Sequence, residues 1–368
     1  MLRVPLKTPF KTSLRTVDEI ADVVVMIETD CGHTGYGSAP ATAKITGETH
    51  GSIIEAISCI IGPIIVGMDI DNLNDMTHRI QNCIEKNFSA KAAVEIALYD
   101  LFGQRHQAPL YKLLGGGESA ITTDITISFD YIDKMVEDAV EATNRGFETL
   151  KIKVGKDPEM DIERIKAIYA ATSDRALIRL DANQGWTPKQ AVSVVRALED
   201  CGVRLELVEQ PVDGEDIEGM KYVAERIHTP VMADESTFGP RQAIEVIRMR
   251  AADIINIKLM KTGGVSNALK IADIASIYGV ECMIGCMLES SIGVAAAVHI
   301  AAARSKVITK VDLDAPSLGT FDPVSSGVDF NDAEISISDV PGLGITQIEN
   351  LEMLDVGADG IVPHLKMH

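Results

Sequence analysis

The chain has 368 residues with 54 acidic and 34 basic side chains, a formal net charge of -20. That length suits two domains better than one, and so acidic a surface repels phosphate backbones and argues against nucleic-acid binding. Hydrophobic residues are 46% and charged residues 24%, a globular composition, and with aromatics at only 4% the core must rest on aliphatic side chains and Met.

In chain order, residues 1–7 carry no apolar stretch of the kind a secretory signal needs, so a cytoplasmic protein is expected. Val23-Val24-Val25-Met26-Ile27-Glu28 reads as a strand, and the turn-rich Asp30-Cys31-Gly32-His33-Thr34-Gly35-Tyr36-Gly37 leads into another. The apolar run 56–68 is too short to span a membrane and contains Gly62 and Pro63, so no membrane association is expected. A helix is expected from Ser89 as N-cap, with Val94, Leu98 and Leu101 at helical spacing. Gly115-Gly116-Gly117 marks a domain boundary. The six cysteines, Cys31, Cys59, Cys83, Cys201, Cys282 and Cys286, form no CxxC pair, which fits reduced thiols rather than disulfides or a zinc site.

Beyond residue 120 the rhythm changes. Short β-rich runs at 121–128, 149–154, 176–181, 205–209, 230–234, 253–258, 280–285 and 307–312 alternate with amphipathic stretches. Alternating β and α units predict a parallel sheet, and eight of them predict a closed (β/α) barrel of the TIM type. The expected architecture is a barrel over 118–319 and an α+β capping domain over 1–117, completed by the C-terminal segment 320–368.

Most of these runs end on an ionisable side chain, and a barrel assembles its active site from the C-terminal ends of its strands. Asp181, Glu209 and Asp234 end three adjacent strands. Three converging carboxylates repel one another unless a cation lies between them, and all-oxygen ligation favours a hard ion such as Mg²⁺. Lys153 and Lys258 flank this acidic sector. Lys151 and Lys153 are two apart on a strand and share its inner face. A neighbouring positive charge disfavours protonation of a buried lysine, so Lys151 is expected to tune Lys153 as a base near neutral pH. Lysines on opposite sides of a metal-bound carboxylate suit removal of an α-proton on one face and its return on the other. The plainer alternative is a set of loop salt bridges and lysines neutralised by the acidic ring.

The motifs Lys151-Ile152-Lys153-Val154-Gly155, Leu180-Asp181-Ala182-Asn183-Gln184-Gly185-Trp186, Glu209-Gln210-Pro211, Ala233-Asp234-Glu235-Ser236 and Asn256-Ile257-Lys258-Leu259-Met260-Lys261-Thr262-Gly263-Gly264 resemble the enolase superfamily, muconate-lactonizing subgroup. The resemblance covers nearly the whole chain. It implies a modified, enolase-like barrel, Mg²⁺ held by Asp181, Glu209 and Asp234, and Lys153 and Lys258 as acid/base groups assisted by Lys151.

Asp312-Leu313-Asp314 resembles the motif with which the subgroup's dipeptide epimerases hold a substrate α-ammonium, and two carboxylates two residues apart make a natural ammonium clamp. The resemblance further implies that Arg15 pairs with an acidic second residue of a dipeptide substrate. Thr126, Lys151, Cys286, Met287, Leu288 and Leu313 are implied substrate contacts. Lys44, in a second capping loop, stands where the resemblance leads one to expect an apolar residue. A homo-oligomer and a role in recycling cell-wall peptides are also implied. A succinylbenzoate-synthase-type lyase would use the same metal and lysines but has no use for an ammonium clamp. A Schiff-base aldolase built on Lys258 and a non-catalytic binding barrel are further alternatives.

Overall fold

The structure is a computed structural model that describes residues 1–12, 15–172 and 175–354. Residues 355–368 of the expected C-terminal segment lie outside the described residues. Among the described residues no helix is long and apolar enough to cross a membrane.

The chain opens with an antiparallel sheet of β1 (Leu2–Lys11), β2 (Thr16–Glu28) and β3 (Thr34–Pro40). A helical layer follows, dominated by the helix Phe88–Arg105, which is buried on nearly every side. That helix lies hard against β3 because Gly35 and Gly37 face it without side chains. A Cβ added at either would fall well inside contact distance of the carbonyl oxygens of Ala97 and Ala93. Asp100 ties the helix down at both sides, accepting from the Tyr36 N–H at 3.0 Å and the Leu343 N–H at 2.8 Å.

The expected helix start at Ser89 is off by two residues. Asn87, in the left-handed conformation, is the N-cap, and Ser89 lies inside the first turn. The capping oxygens come from a distant residue: Glu48 accepts from the N–H groups of Ser89 at 2.9 Å and Ala90 at 3.1 Å. A side chain far away in sequence thus does the work that local pattern assigns to Ser89.

The barrel is a parallel sheet of eight strands in consecutive order: β5 (Ile125–Ile127), β6 (Thr149–Lys153), β7 (Leu177–Asp181), β8 (Leu205–Glu209), β9 (Val231–Ala233), β10 (Ile254–Lys258), β11 (Glu281–Gly285) and β12 (Ile308–Asp312). Helices such as Ile132–Asn144 and Val265–Tyr278 return the chain between strands, whereas β12 is followed only by the short Ala315–Leu318. Among the described residues no β-ladder joins β12 to β5; single bonds close the seam. Asp124 N–H donates to Val311 O at 3.3 Å, and Leu313 N–H donates to Thr123 Oγ1 at 2.9 Å. Below the mouth, Arg179 fills the interior with a charged plug, bonded to Asp124 at 2.7 Å and Glu206 at 2.6 Å.

The expected first barrel strand proves to be two elements. β4 (Ala120–Thr122) leaves the barrel and pairs with β15 (Glu334–Ile337), which also pairs with β14 (Val328–Asn331); only β5 enters the barrel. The break falls at Thr123, whose N–H is taken by Ala333 O. The C-terminal segment also holds β13 (Val324–Ser326) and β16 (Ile345–Ile348), paired with each other. It returns to the start of the chain through Thr320 N–H to Pro5 O and Glu352 N–H to Met1 O.

Because Glu48 alone satisfies two orphan N–H groups of the buried helix, Glu48→Ala is expected to cost about 1–2 kcal/mol. A thermal melt should show the transition lowered by a few degrees with the far-UV spectrum unchanged at low temperature.

Candidate active site

Parallel register brings the charged strand ends to one level. Lys153 pairs with Asp181, and Asp181 with Glu209. Glu209 pairs with Met232, which sets Asp234 just beyond the end of β9. Across the barrel, Gly285 sits level with both Lys258 and Asp312. Thr126 sits level with Lys151. Strands β7, β8 and β9 separate the one bearing Lys153 from the one bearing Lys258, so the two lysines reach the mouth from opposite sides.

The lysines and carboxylates form one buried network. Lys151 Nζ lies 2.6 Å from Asp312, 2.7 Å from Glu209 and 3.1 Å from Asp181. Lys153 is 2.6 Å from Asp181. Lys258 is 2.7 Å from Asp234 and 3.6 Å from Glu209, while Lys261 holds the other Asp234 oxygen at 2.6 Å. A cleft of about 610 Å³, including its open mouth, lies above. Lys151, Lys153 and Lys258 line it, with Asp181, Glu209 and Asp234 buried beneath them.

Burial disfavours every charge here, and the neighbours decide the outcome. For Asp181, Lys153 and Lys151 outweigh burial and hold the carboxyl below its ordinary range. For Asp234, Lys258 and Lys261 do the same. Glu209 goes the other way: burial, with Asp181 next to it, pushes it up to about 7. Lys151 and Lys258 are the most basic groups of the network. Both are buried, but the carboxylates in contact outweigh burial and raise them.

Among the described residues no three His, Cys, Asp or Glu side chains are grouped as a metal site, because ammonium groups stand between the carboxylates. The donor chemistry nonetheless fits a hard divalent cation. Asp181, Glu209 and Asp234 offer only carboxylate oxygens from adjacent strand ends. Two of those oxygens, Glu209 Oε2 and Asp234 Oδ1, are buried with ammonium contacts but no hydrogen bond.

The other expected residues divide. Arg15, Thr126, Cys286, Met287, Leu288, Asp312 and Asp314 all line the cleft. Leu313 does not: its side chain is fully buried in the core, and its N–H closes the barrel seam. Asp314 accepts from the Thr126 N–H at 2.7 Å, and burial with Asp312 beside it raises its carboxyl to about 6. Burial and Asp312 push the Cys286 thiol well up, so it is a poor nucleophile.

Some participants carry little sequence signal. Asn256 donates to Glu209 at 2.8 Å and orients it. Gly285 is small because a Cβ there would meet Asn256 Oδ1 at 2.9 Å and Lys258 Cε at 3.1 Å. Phe10, from β1, also lines the cleft, its ring centroid 5.8 Å from the Lys153 ammonium. Asn256 and Lys261 sit inside a recognisable motif, and Phe10 in the stretch leading to Arg15, whereas no motif marks Gly285.

Residues 1–115 match the mandelate racemase / muconate lactonizing enzyme N-terminal domain, and residues 134–350 match the enolase C-terminal domain-like family. The chain therefore belongs to the mandelate racemase / muconate lactonizing enzyme family of the enolase superfamily. It is 52% identical to the L-Ala-D/L-Glu epimerase of Clostridium acetobutylicum, over 95% of this chain and 97% of that protein. The structure of a substrate-liganded complex of the L-Ala-D/L-Glu epimerase from Bacillus subtilis superposes with a TM-score of 0.93 at 46% identity, covering 94% of this chain and 97% of that one. The dipeptide epimerase of Enterococcus faecalis, complexed with Mg and L-Leu-L-Tyr, gives 0.91 at 44% identity over 94% and 97%.

Behind the cleft wall Glu289 holds the Met287 N–H at 2.9 Å through Oε1, while Oε2 has no hydrogen-bond partner among the described residues. Burial, with Asp22 nearby, raises it from 4.5 to about 8. The folded protein therefore binds a proton there that the unfolded chain releases. This stabilisation is complete below about pH 4.5 and is lost as pH rises through about 8. Glu289→Gln keeps an acceptor for Met287 and has no charge to bury. Its melting temperature, compared with wild type from pH 5 to pH 8, should decline less steeply with pH.

Proposed function

We propose that the protein is a Mg²⁺-dependent dipeptide epimerase acting on L-Ala-D/L-Glu, inverting the α-carbon of the second residue. The observation that carries the reading is the pair Lys153 and Lys258, which enter one cleft from opposite sides of the barrel above three buried carboxylates. The epimerases named above support the substrate class.

In this reading Asp181, Glu209 and Asp234 hold Mg²⁺. An ion held there would supply positive charge to the substrate carboxylate and offset the carboxylate charge that otherwise holds the lysine protons. Lys153 serves one face of the α-carbon and Lys258 the other, each as base in one direction and acid in the reverse. Lys151, beside Glu209 and Asp312, adds positive charge near the reacting carboxylate. Asp312 and Asp314 receive the substrate ammonium, and Arg15 the distal carboxylate. Thr126, Cys286, Met287 and Leu288 shape the walls. The ammonium clamp favours this reading over a succinylbenzoate-synthase-type lyase, which has no amine to bind. Residues 1–117 with 320–368 would form the cap and 118–319 the barrel. The same reading places the protein in the cytoplasm as a homo-oligomer that recycles cell-wall peptides.

Incubation with L-Ala-L-Glu and Mg²⁺ in D₂O should place deuterium at the second α-carbon and shift the peptide toward the D-isomer. Chelation should abolish turnover, and added Mg²⁺ should restore it. No exchange with any of a panel of dipeptides would refute the assignment. Lys153→Ala and Lys258→Ala should each lower epimerisation by at least about 10²-fold. One of the two variants should still exchange the α-proton of a single isomer, followed by NMR. Full activity in either would exclude a two-lysine mechanism.

A further inference from the structure

The cleft contains two kinds of cation. Lys151, Lys153 and Lys258 are each held by strand-end carboxylates. Arg15 and Lys44 come from the N-terminal domain, Arg15 immediately before β2 and Lys44 in the segment after β3, yet both line the same cleft. Neither side chain makes an ion pair among the described residues. Arg15 is half-buried and has lost much of its water without gaining an anion, which lowers its basicity. Lys44 is exposed on its loop. Ile45, next to Lys44, also lines the cleft, so this stretch faces the ligand space with one apolar and one charged side chain.

Charge accounting for a dipeptide ligand then leaves one place open. Its ammonium belongs with Asp312 and Asp314, and its α-carboxylate with the metal and lysine sector. A side-chain carboxylate on the second residue is the anion left to meet the cations of the cap. A single guanidinium would satisfy it; here a second cation, the Lys44 ammonium, lines the same cleft. Two cations from separate loops can hold one carboxylate from two directions, and each discriminates against a neutral isostere that offers no charge.

We propose that Lys44 is a specificity-determining residue that acts with Arg15, the two receiving the side-chain carboxylate of an acidic second residue. The proposal rests on the dipeptide-epimerase reading and adds to it a second, charge-based selection for acidic over neutral side chains. The exposed Lys44 contributes the smaller part, because water and salt screen an exposed pair.

The test compares kcat/KM for L-Ala-L-Glu and its neutral isostere L-Ala-L-Gln. Lys44→Met should lower kcat/KM for L-Ala-L-Glu by about three- to fivefold, mainly through KM, and change L-Ala-L-Gln by less than about twofold. Lys44→Arg should restore the wild-type ratio, and Lys44→Glu should depress it further. Added salt should narrow the gap between wild type and Lys44→Met. An unchanged Glu-to-Gln ratio in Lys44→Met, or an equal loss on both dipeptides, would overturn the proposal while both peptides remain epimerised and the catalytic reading stands. No α-proton exchange in either dipeptide with wild-type protein would remove the epimerase reading and this proposal together.

Discussion

The barrel mouth is held by mutual charge compensation. Seven charged groups, Lys151, Lys153, Lys258, Lys261, Asp181, Glu209 and Asp234, are nearly or fully buried within contact of one another. Taking one such charge out of water alone costs several kcal/mol, and removing one partner strands the other. Glu209 shows the balance at its margin: with Asp181 on one side and Asp234 on the other, burial leaves its carboxyl near neutrality at about 7. A divalent cation among these oxygens would shift that balance and release the ammonium groups from them. In the proposed function the atoms that would hold the ion and the stabilising network are the same, so the buried lysines and carboxylates compensate one another.

Much of the remaining fold exists to keep that network in register. Parallel pairing sets Lys153, Asp181 and Glu209 side by side, and a one-residue slip would turn each to the wrong face. Gly285 gives Lys258 its room, and Asn256 fixes the Glu209 carboxylate. The N-terminal sheet and its buried helix press on the outer layer of the same barrel half: Ile96 and Leu98 share one apolar core with Leu259, Met260 and Val265. The N-terminal domain therefore shares its core with the element that follows Lys258.

Charged groups line the cleft at three places. Its barrel wall near the seam offers Asp312 and Asp314, its floor offers lysines, and its cap side offers Arg15 and Lys44. A ligand with a positive end and negative groups farther along is oriented by that gradient before any specific hydrogen bond forms. The division of labour follows from rigidity. Strand ends locked by ladders hold the lysines and carboxylates of the mouth, while Arg15 and Lys44 stand outside the strands, in the N-terminal domain.

The eight-unit rhythm, the strand-end lysines and carboxylates and the Asp312-Leu313-Asp314 pattern were all legible in the chain, because period and residue type decide which side chains a barrel delivers to its mouth. What lay beyond that reading was set by contacts between residues far apart in sequence. Glu48, not Ser89, caps the central helix; β4 deserts the barrel for β15; Leu313 turns into the core while its neighbours face the cleft. The basicity of Lys151 and Lys258 is set the same way. Spacing shows that Lys151 and Lys153 share a face, but only the folded distances show that carboxylates crowd closer to Lys151 and Lys258 than other ammonium groups do. Local pattern specifies elements and their faces; the field at a buried charge is a sum over neighbours that only tertiary structure assembles.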